Sequence, residues 1–468
     1  MKRYVFVLYS IAISIICHAQ LTRKQAEAIV LNQSIIRNNP YCYVFSYIGS
    51  SSTVPTIFGG SITIPSNAYC YVLDKEPLQG WLESFDYIFV DKTTGRVTWK
   101  YSQAKPKSFT LWQKFYGKDP IIQNEPLFDF SSHRRPVRLP SIVKPSNGTN
   151  YAVIISGGAN SQDNHIRYWN DCSAMYKALV SQYGYAKQNI YLLISDGSSL
   201  NIDRNRDTQN NPTLPPDLDS SPLDLDGDGQ NETIRPAVKN EINTVFNELS
   251  AKITANDNLF VFTTDHGNKT GSLNLWNWEL LSPSELAQQI DKVKARYISI
   301  LLLQCFSGAF IEPLSARNRV ISTASSANEY SWGIPGINGY EIYFREWLAA
   351  MLGEYPNRYQ VNADANNDGY VTMKEAFQYA KSHDSSGETP QYKSQCSVLG
   401  DYLTLSGIYC PTTDVRNLTV SNNKTVSGCN VEVSNVVVQN SSKLTVNAFE
   451  VMINGPFEVC AGSSFEIP

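Results

Sequence analysis

Two apolar runs of this 468-residue chain end in side chains suited to nucleophilic chemistry. "NLFVFTTDHG" delivers Asp265, His266 and Gly267, and "ISILLLQCFSGAF" delivers Cys305, with Ser307 and Gly308 just beyond. A thiol attacks as its thiolate, and a neighbouring imidazole can take its proton and later hand it to a leaving group. Acyl transfer also needs N–H donors aimed at a developing oxyanion, which tight turns with glycine supply. Taken singly, Cys305 reads as a small buried apolar residue and His266 as a polar residue ordering a turn. Placed together, each after an apolar strand, they favour a Cys/His pair over two unrelated residues.

A different chemistry, hard-cation binding, is written in two acidic loops. "DANNDGYVTMKE", residues 364–375, fits a calcium-binding loop at each diagnostic position. Asp364, Asn366 and Asp368 offer side-chain oxygens, Gly369 allows the sharp turn, Tyr370 offers a carbonyl and Glu375 can bind through both oxygens. "DLDGDGQNETIR", from Asp224, repeats the first half with Asp226, Asp228 and Gln230, but Arg235 stands where the last acid belongs. Asp217, Asp219 or Glu232 would have to complete that site. Calcium is expected at both loops in a structural part, because a Cys/His pair needs no metal.

The elements that must position these residues come from the hydrophobic pattern. From Tyr151, buried strands ("YAVIISGG", "NIYLLIS", "NLFVFTTDHG", "ISILLLQC") alternate with helical stretches such as "YWNDCSAMYKALVSQY" and "RPAVKNEINTVFNELSAKI". That alternation predicts an α/β fold with a mostly parallel sheet and helices on both faces. Ligands in such sheets sit at the carboxyl ends of strands, so Gly157, Gly158, His266 and Cys305 are expected on one rim.

Residues 20–135 read as a small α+β module, with Thr22 capping a first helix and "DKTTG" turning a hairpin. Residues 136–150 read as a linker and 151–410 as the α/β domain. Residues 411–468, Val-rich and punctuated by Asn and Ser, read as a small all-β module, a sandwich or a solenoid.

The composition, 42% apolar and 18% charged with net charge −4, is that of a folded protein and gives no basis for a nucleic-acid partner. Lys2-Arg3, the apolar run Tyr4–Ile16 and small residues near Ala19 predict a removed export signal over residues 1–19, hence a secreted protein without a membrane span. "SIIC" is a poor lipid-attachment site for Cys17. Of nine cysteines, Cys42 and Cys70 each stand in "YCY" and are candidates to pair across neighbouring strands, but spacing dictates no pairing. "HRRPVR" (133–138) reads as an exposed processing site or a solvated linker, so residues 20–135 are a propeptide or an accessory module.

The strand ending in His-Gly followed by a strand ending in Gln-Cys resembles the caspase-type cysteine peptidases. The closest likeness is to the legumain family, including its bacterial secreted members, through "YAVIISGGANSQDNHIRYWNDCSAMYKAL", "NLFVFTTDHG", "ISILLLQCFSGAF" and "RVISTASSANEYS". The resemblance implies a caspase-like fold over roughly residues 150–350. It makes Cys305 the nucleophile, His266 the general base and acid, and the N–H groups of Gly267 and Cys305 the oxyanion donors. It also places Arg167 in the primary specificity pocket and Ser325 at its wall. The chain departs from the family at Leu303, where legumain has an acid, at Tyr168, where it has histidine, and at His165, where it has asparagine. Strict cleavage after asparagine is therefore not expected, and Arg167 either favours an acidic or polar residue or pairs with Asp163 or Asp171.

Together these observations predict a secreted, calcium-stabilised cysteine endopeptidase made as a zymogen and acting on peptide or protein substrates. The alternatives are a transpeptidase using the same pair, and a non-catalytic surface-binding protein attached to a cell surface or sorting machinery through its C-terminal module.

Overall fold

The computed structural model describes residues 20–37, 42–56, 60–74, 85–103, 106, 111–116, 127–128, 130, 148–206, 217–334, 338–356, 359–408 and 410–468. The leader 1–19, the "HRRPVR" segment and most of the 136–150 linker lie outside these residues.

The described residues up to Tyr116 belong to one compact unit. Helix α1 (Arg23–Leu31) opens with a capping box in which the Thr22 hydroxyl accepts from the Gln25 N–H and the Gln25 side chain accepts from the Thr22 N–H. Strands β1 (Tyr43–Tyr47), β2 (Ala68–Asp74), β3 (Phe85–Asp91), β4 (Val97–Gln103) and β5 (Trp112–Tyr116) form an antiparallel sheet in the order β4-β3-β2-β1-β5. The expected hairpin is β3–β4. Its turn is closed by Asp91, whose carboxylate accepts from the N–H groups of Thr93 (3.0 Å) and Thr94 (2.7 Å). Cys42 and Cys70 are both buried and are not bonded to each other. Register keeps them apart: Tyr43 lies opposite Asp74, and Cys70 lies opposite Phe89 on the other neighbour.

The second unit carries the α/β domain. Its strands are β6 (Asn150–Ser156), β7 (Ile190–Ile194), β8 (Ile234–Arg235), β9 (Asn258–Thr263), β10 (Tyr297–Leu302), β11 (Arg319–Thr323) and β12 (Gln391–Ser394). The sheet order is β8-β7-β6-β9-β10-β11-β12, parallel throughout except for β12. Because both faces are covered, the strands are continuous apolar runs rather than alternating ones.

Alternate residues still go to different layers. Val153, Ile155, Val261, Ile300 and Leu302 meet Ile242, Phe246, Leu249, Leu286 and Ile290 on helices α3 (Lys239–Lys252) and α4 (Pro283–Asp291). Ala152, Ile154, Phe260, Phe262 and Leu301 meet Met175 and Leu179 of α2 (Ile166–Ser181) and Phe344, Trp347 and Leu348 of α5 (Ile342–Leu352). The caspase-like arrangement expected from the resemblance is the one found.

The C-terminal module is solenoid-like rather than a sandwich. Strands β13 (Thr412–Val420), β14 (Lys424–Val438), β15 (Lys443–Ile453), β16 (Phe457–Val459) and β17 (Ser464–Glu466) pair only in parallel. Thr412 pairs with Asn430, Lys424 with Leu444 and Lys443 with Ser464, a spacing of roughly 20 residues that suits stacked coils. The module is fastened to the α/β domain by a Cys410–Cys429 disulfide, the ion pair Arg296–Glu450 (2.8 Å) and the Tyr297–Phe449 ring contact. Among the described residues no helix is long and apolar enough to cross a membrane.

Candidate active site

Strands β9 and β10 are hydrogen-bonded neighbours, paired from Asn258–Tyr297 to Thr263–Leu302, so the residues just past their carboxyl ends emerge side by side. His266 and Cys305 do so, and both are nearly enclosed, at 3% and 5% exposure. The join is tight at Gly267. A Cβ there would stand 1.9 Å from the Cys305 carbonyl oxygen, 2.9 Å from its carbonyl carbon and 3.2 Å from its nitrogen. Only glycine lets the two strand ends meet in this way, and the Gly267 N–H reaches the Cys305 sulfur.

After Cys305 the chain reverses sharply. Phe306 takes a left-handed conformation (φ +60°), rare for a bulky residue, and its N–H donates to the Glu329 carbonyl (2.8 Å). A short 3-10 turn, Ser307–Phe310, comes next. Such strain is tolerated where surrounding contacts over-determine it, and here it sets the thiol at the start of the turn.

His266 is oriented from three sides. Its Nε2 lies 3.1 Å from the Asp163 carbonyl oxygen. A carbonyl can only accept, so Nε2 carries the proton and the neutral ring keeps its lone pair on Nδ1. His165 and Tyr168 present ring contacts at centroid distances of 5.4 and 5.3 Å. The preceding Asp265 accepts from the N–H groups of Gly158 and, at 2.6 Å, of His266 itself. Burial nonetheless pushes its carboxyl up to about 7, with those N–H donors and the Arg167 charge pulling the other way.

Cys305 is clasped by Ser331. The Ser331 N–H donates to Sγ (3.4 Å), the thiol donates to the Ser331 carbonyl (3.7 Å), and the Ser331 hydroxyl lies 3.8 Å from Sγ. Burial pushes the thiol up from its ordinary range. The Ser331 N–H, the Gly267 N–H and the positive charge of Arg167 oppose that rise. Burial thus favours the uncharged thiol, against the pull of these donors.

Arg167 does not pair with Asp163 or Asp171. Its guanidinium donates to the Tyr168 hydroxyl (2.8 Å), lies over that ring at 4.6 Å, and runs along Gly333, where a Cβ would fall 2.5 Å from its Cδ. Asp171 instead accepts from the Thr264 hydroxyl (2.7 Å) and the Glu341 N–H (3.2 Å), and burial pushes it up to about 7.

Ser325 lies beside the turn that follows Cys305. It is fully buried, with its hydroxyl 3.2 Å from the Ser307 hydroxyl and its carbonyl accepting from the Gly308 N–H (3.0 Å). Through these contacts it braces the turn after Cys305. Leu303, the departure from legumain, is buried in the apolar layer with Phe262 and Ala324.

The Asp224 loop brings acids together. Asp224, Asp226, Asp228 and Glu232 have carboxylate oxygens within 4.8 Å of one another, the one such group of three or more among the described residues. Glu232 takes the place expected of a distant acid, whereas Gln230 donates its N–H to Asp228 (2.8 Å). The oxygen-only donor set suits a hard cation. Lys187 also reaches in, with Nζ 2.6 Å from Asp226 and 2.8 Å from Asp228, so part of that negative charge is already paired.

In the other loop, Asp364 accepts from the N–H groups of Asp368 (3.1 Å) and Gly369 (2.8 Å). Asn366 donates to Asp368 (2.9 Å), which in turn accepts from the Tyr370 N–H (2.9 Å). Gly369 has φ +92°, as the turn requires. Glu375 folds back on the loop, accepting from the N–H groups of Ala365 (3.0 Å) and Thr372 (3.0 Å), and caps helix α6 (Met373–His383).

Comparison with curated proteins finds no match. The model of the peptidase C13 family does match, over residues 150–400, which takes in β6 through β12 and both strand ends that carry His266 and Cys305. With more than half of the chain covered and the sheet and rim as described, this protein belongs to the peptidase C13 family, the legumain-type cysteine endopeptidases.

Proposed function

We propose that Cys305 is the nucleophile of this peptidase and His266 its general base and acid. The observation that carries the reading is the fit of Gly267 against Cys305, which sets the imidazole and the thiol on adjoining strand ends with an N–H already at the sulfur. His266 takes the thiol proton on Nδ1, while Nε2–H stays on the Asp163 carbonyl. The thiolate adds to the substrate carbonyl, and the N–H groups of Gly267 and Cys305 receive the oxyanion. Collapse breaks the C–N bond as His266 protonates the leaving amine, leaving a thioester on Cys305. Water then gives a proton to His266 and its oxygen to the acyl carbon, releasing the acid and restoring the thiol.

Arg167 and Tyr168 line the primary pocket in this reading. A guanidinium laid on the Tyr168 ring keeps N–H groups for an acidic or polar side chain. The protein is exported, and the first unit serves as a propeptide removed at "HRRPVR". Calcium, held by Asp224, Asp226, Asp228 and Glu232 and by Asp364, Asn366, Asp368, Tyr370 and Glu375, neutralises clustered carboxylates and stiffens the two loops. Occupation of the first loop displaces Lys187 from Asp226 and Asp228.

The test is a peptide-library cleavage profile of wild type and Cys305→Ala, with calcium and with a chelator. Loss of cleavage in Cys305→Ala supports the reading, and a profile indifferent to that change defeats it. A melting temperature that does not respond to calcium removes the metal from the account.

A further inference from the structure

Resting on the assignment of Cys305 as nucleophile, we infer that Ser331 is a positioning residue for the reaction, whose hydroxyl anchors the main-chain clasp that holds the sulfur. Nothing in the spacing of the strand-end motifs points to it, since it lies well beyond β11 in an irregular segment.

The Ser331 hydroxyl lies 2.6 Å from the Leu303 carbonyl oxygen and 3.8 Å from the Cys305 sulfur. A hydroxyl has one proton, and the shorter contact, to an atom that can only accept, takes it. The hydroxyl is therefore a tether from the 331 segment to the backbone two residues before the nucleophile. The same segment is held on its far side. The Trp332 N–H donates to Glu388 (3.1 Å), and the Trp332 carbonyl accepts from the Ile342 N–H (2.8 Å). Pinned on both sides, Ser331 aims its own N–H at the sulfur (3.4 Å) and its carbonyl at the thiol proton (3.7 Å).

That arrangement serves both protonation states. The carbonyl receives the S–H at rest, and the N–H, with that of Gly267, stabilises the thiolate once His266 has taken the proton. Charged and titratable groups near the sulfur are His266 and Asp265 after β9 and Arg167 and Tyr168 on α2, with Glu388 behind Trp332. Without the hydroxyl the tether to Leu303 is lost, the N–H drifts from the sulfur, and the thiolate loses a donor.

The experiment uses the full chain and the variants Ser331→Ala, Ser331→Thr and Ser331→Val, with Cys305→Ala as blank. Alkylation of Cys305 by iodoacetamide is monitored by mass spectrometry from pH 5 to pH 9 without substrate, alongside kcat, KM and melting temperature. Ser331→Ala should move the alkylation profile to higher pH, slow alkylation at pH 7 about three- to tenfold and lower kcat about tenfold with little change in KM. Ser331→Thr keeps the hydroxyl and should stay near wild type, whereas Ser331→Val, of the same shape, should behave like Ser331→Ala. If Ser331→Ala fails to fold, the Thr/Val pair carries the comparison. Superimposable profiles for wild type and Ser331→Ala, or for Thr and Val, overturn the inference. That failure is separate from failure of the peptidase mechanism, which would appear as activity surviving in Cys305→Ala.

Discussion

Gly267→Ala is the most direct perturbation of the candidate site, because it adds one methyl group where the two strand ends touch. The new Cβ would fall 1.9 Å from the Cys305 carbonyl oxygen. Ordinary contact for these atoms is about 3.5 Å, so the His266–Gly267 turn must retreat by roughly 1.5 Å. The obstacle is main chain, fixed within a parallel pair that runs to Leu302, so it cannot rotate aside as a flexible side chain would. A shift of that size separates His266 from the thiol and withdraws the Gly267 N–H from the sulfur. Misplacement by an ångström typically costs about a hundredfold in rate, or about 2.7 kcal/mol of barrier. Overpacking of this kind destabilises by about 1–3 kcal/mol, which a domain of this size should survive. The assay is kcat/KM on a cleavable peptide, paired with iodoacetamide alkylation of Cys305 and a melting curve. A folded Gly267→Ala protein with kcat/KM near wild type would refute the reasoning, since the pair would then tolerate a displacement that the mechanism forbids.

Contacts elsewhere in the same unit lead to three further outcomes. Cys410→Ser should lower stability by about 3 kcal/mol, because the bond to Cys429 spans a sequence separation of 19 residues; an unchanged melting temperature under oxidising conditions would sink that expectation. Burial pushes Asp171 and Asp265 up to about 7 from an ordinary 3.8, so the folded protein keeps protons that the unfolded chain has released. Their contribution is complete below that ordinary value and is lost as pH rises through 7, so the melting temperature should fall from pH 5 to pH 8. Asp265→Asn should flatten the fall, and an identical slope would remove Asp265 as a source of it. Leu303→Glu, which restores the acid of legumain, should destabilise by about 3 kcal/mol or more because the site is an apolar layer; Leu303→Met should be nearly neutral, and a stable glutamate variant at pH 8 would contradict the burial argument.

The parts of the site that are legible in the sequence are those attached to strong periodic elements. His266 and Cys305 each end a continuous apolar run, and the alternation of such runs with helical stretches points to inner strands of a covered parallel sheet, so pattern indicates both their neighbourhood and their rim. Residues that lie near in space but far along an irregular chain leave no such trace. Ser331 belongs to a segment between β11 and α5 with no period, and its part depends on a hydrogen bond to Leu303 that spacing does not encode. Phe306 is a related case: glycine or asparagine would have announced a left-handed turn, and a phenylalanine does not. Ser325 illustrates a related point, because position in a family pattern says where a backbone runs and not how far its side chain is covered, and here it is fully buried.

The acidic loops expose a further limit of reading charge from spacing. Aspartates at alternate positions identify a loop whose carboxylates converge, and at Asp224 they do converge. The pattern contains nothing of Lys187, which arrives from the segment before β7 and sets an ammonium against three of those carboxylates. If the loop binds a cation, the ion has to displace this charge as well as its own water, and its affinity would be set jointly by the loop and by a residue outside it. Lys187→Met should therefore raise calcium affinity if the loop is a metal site, and should lower stability in the absence of calcium by leaving the carboxylates to repel one another. Calorimetric titration of the two proteins separates these effects. A Lys187→Met protein that binds calcium no better than wild type, yet loses no stability without it, would show that the ammonium neither competes for the loop nor holds it together.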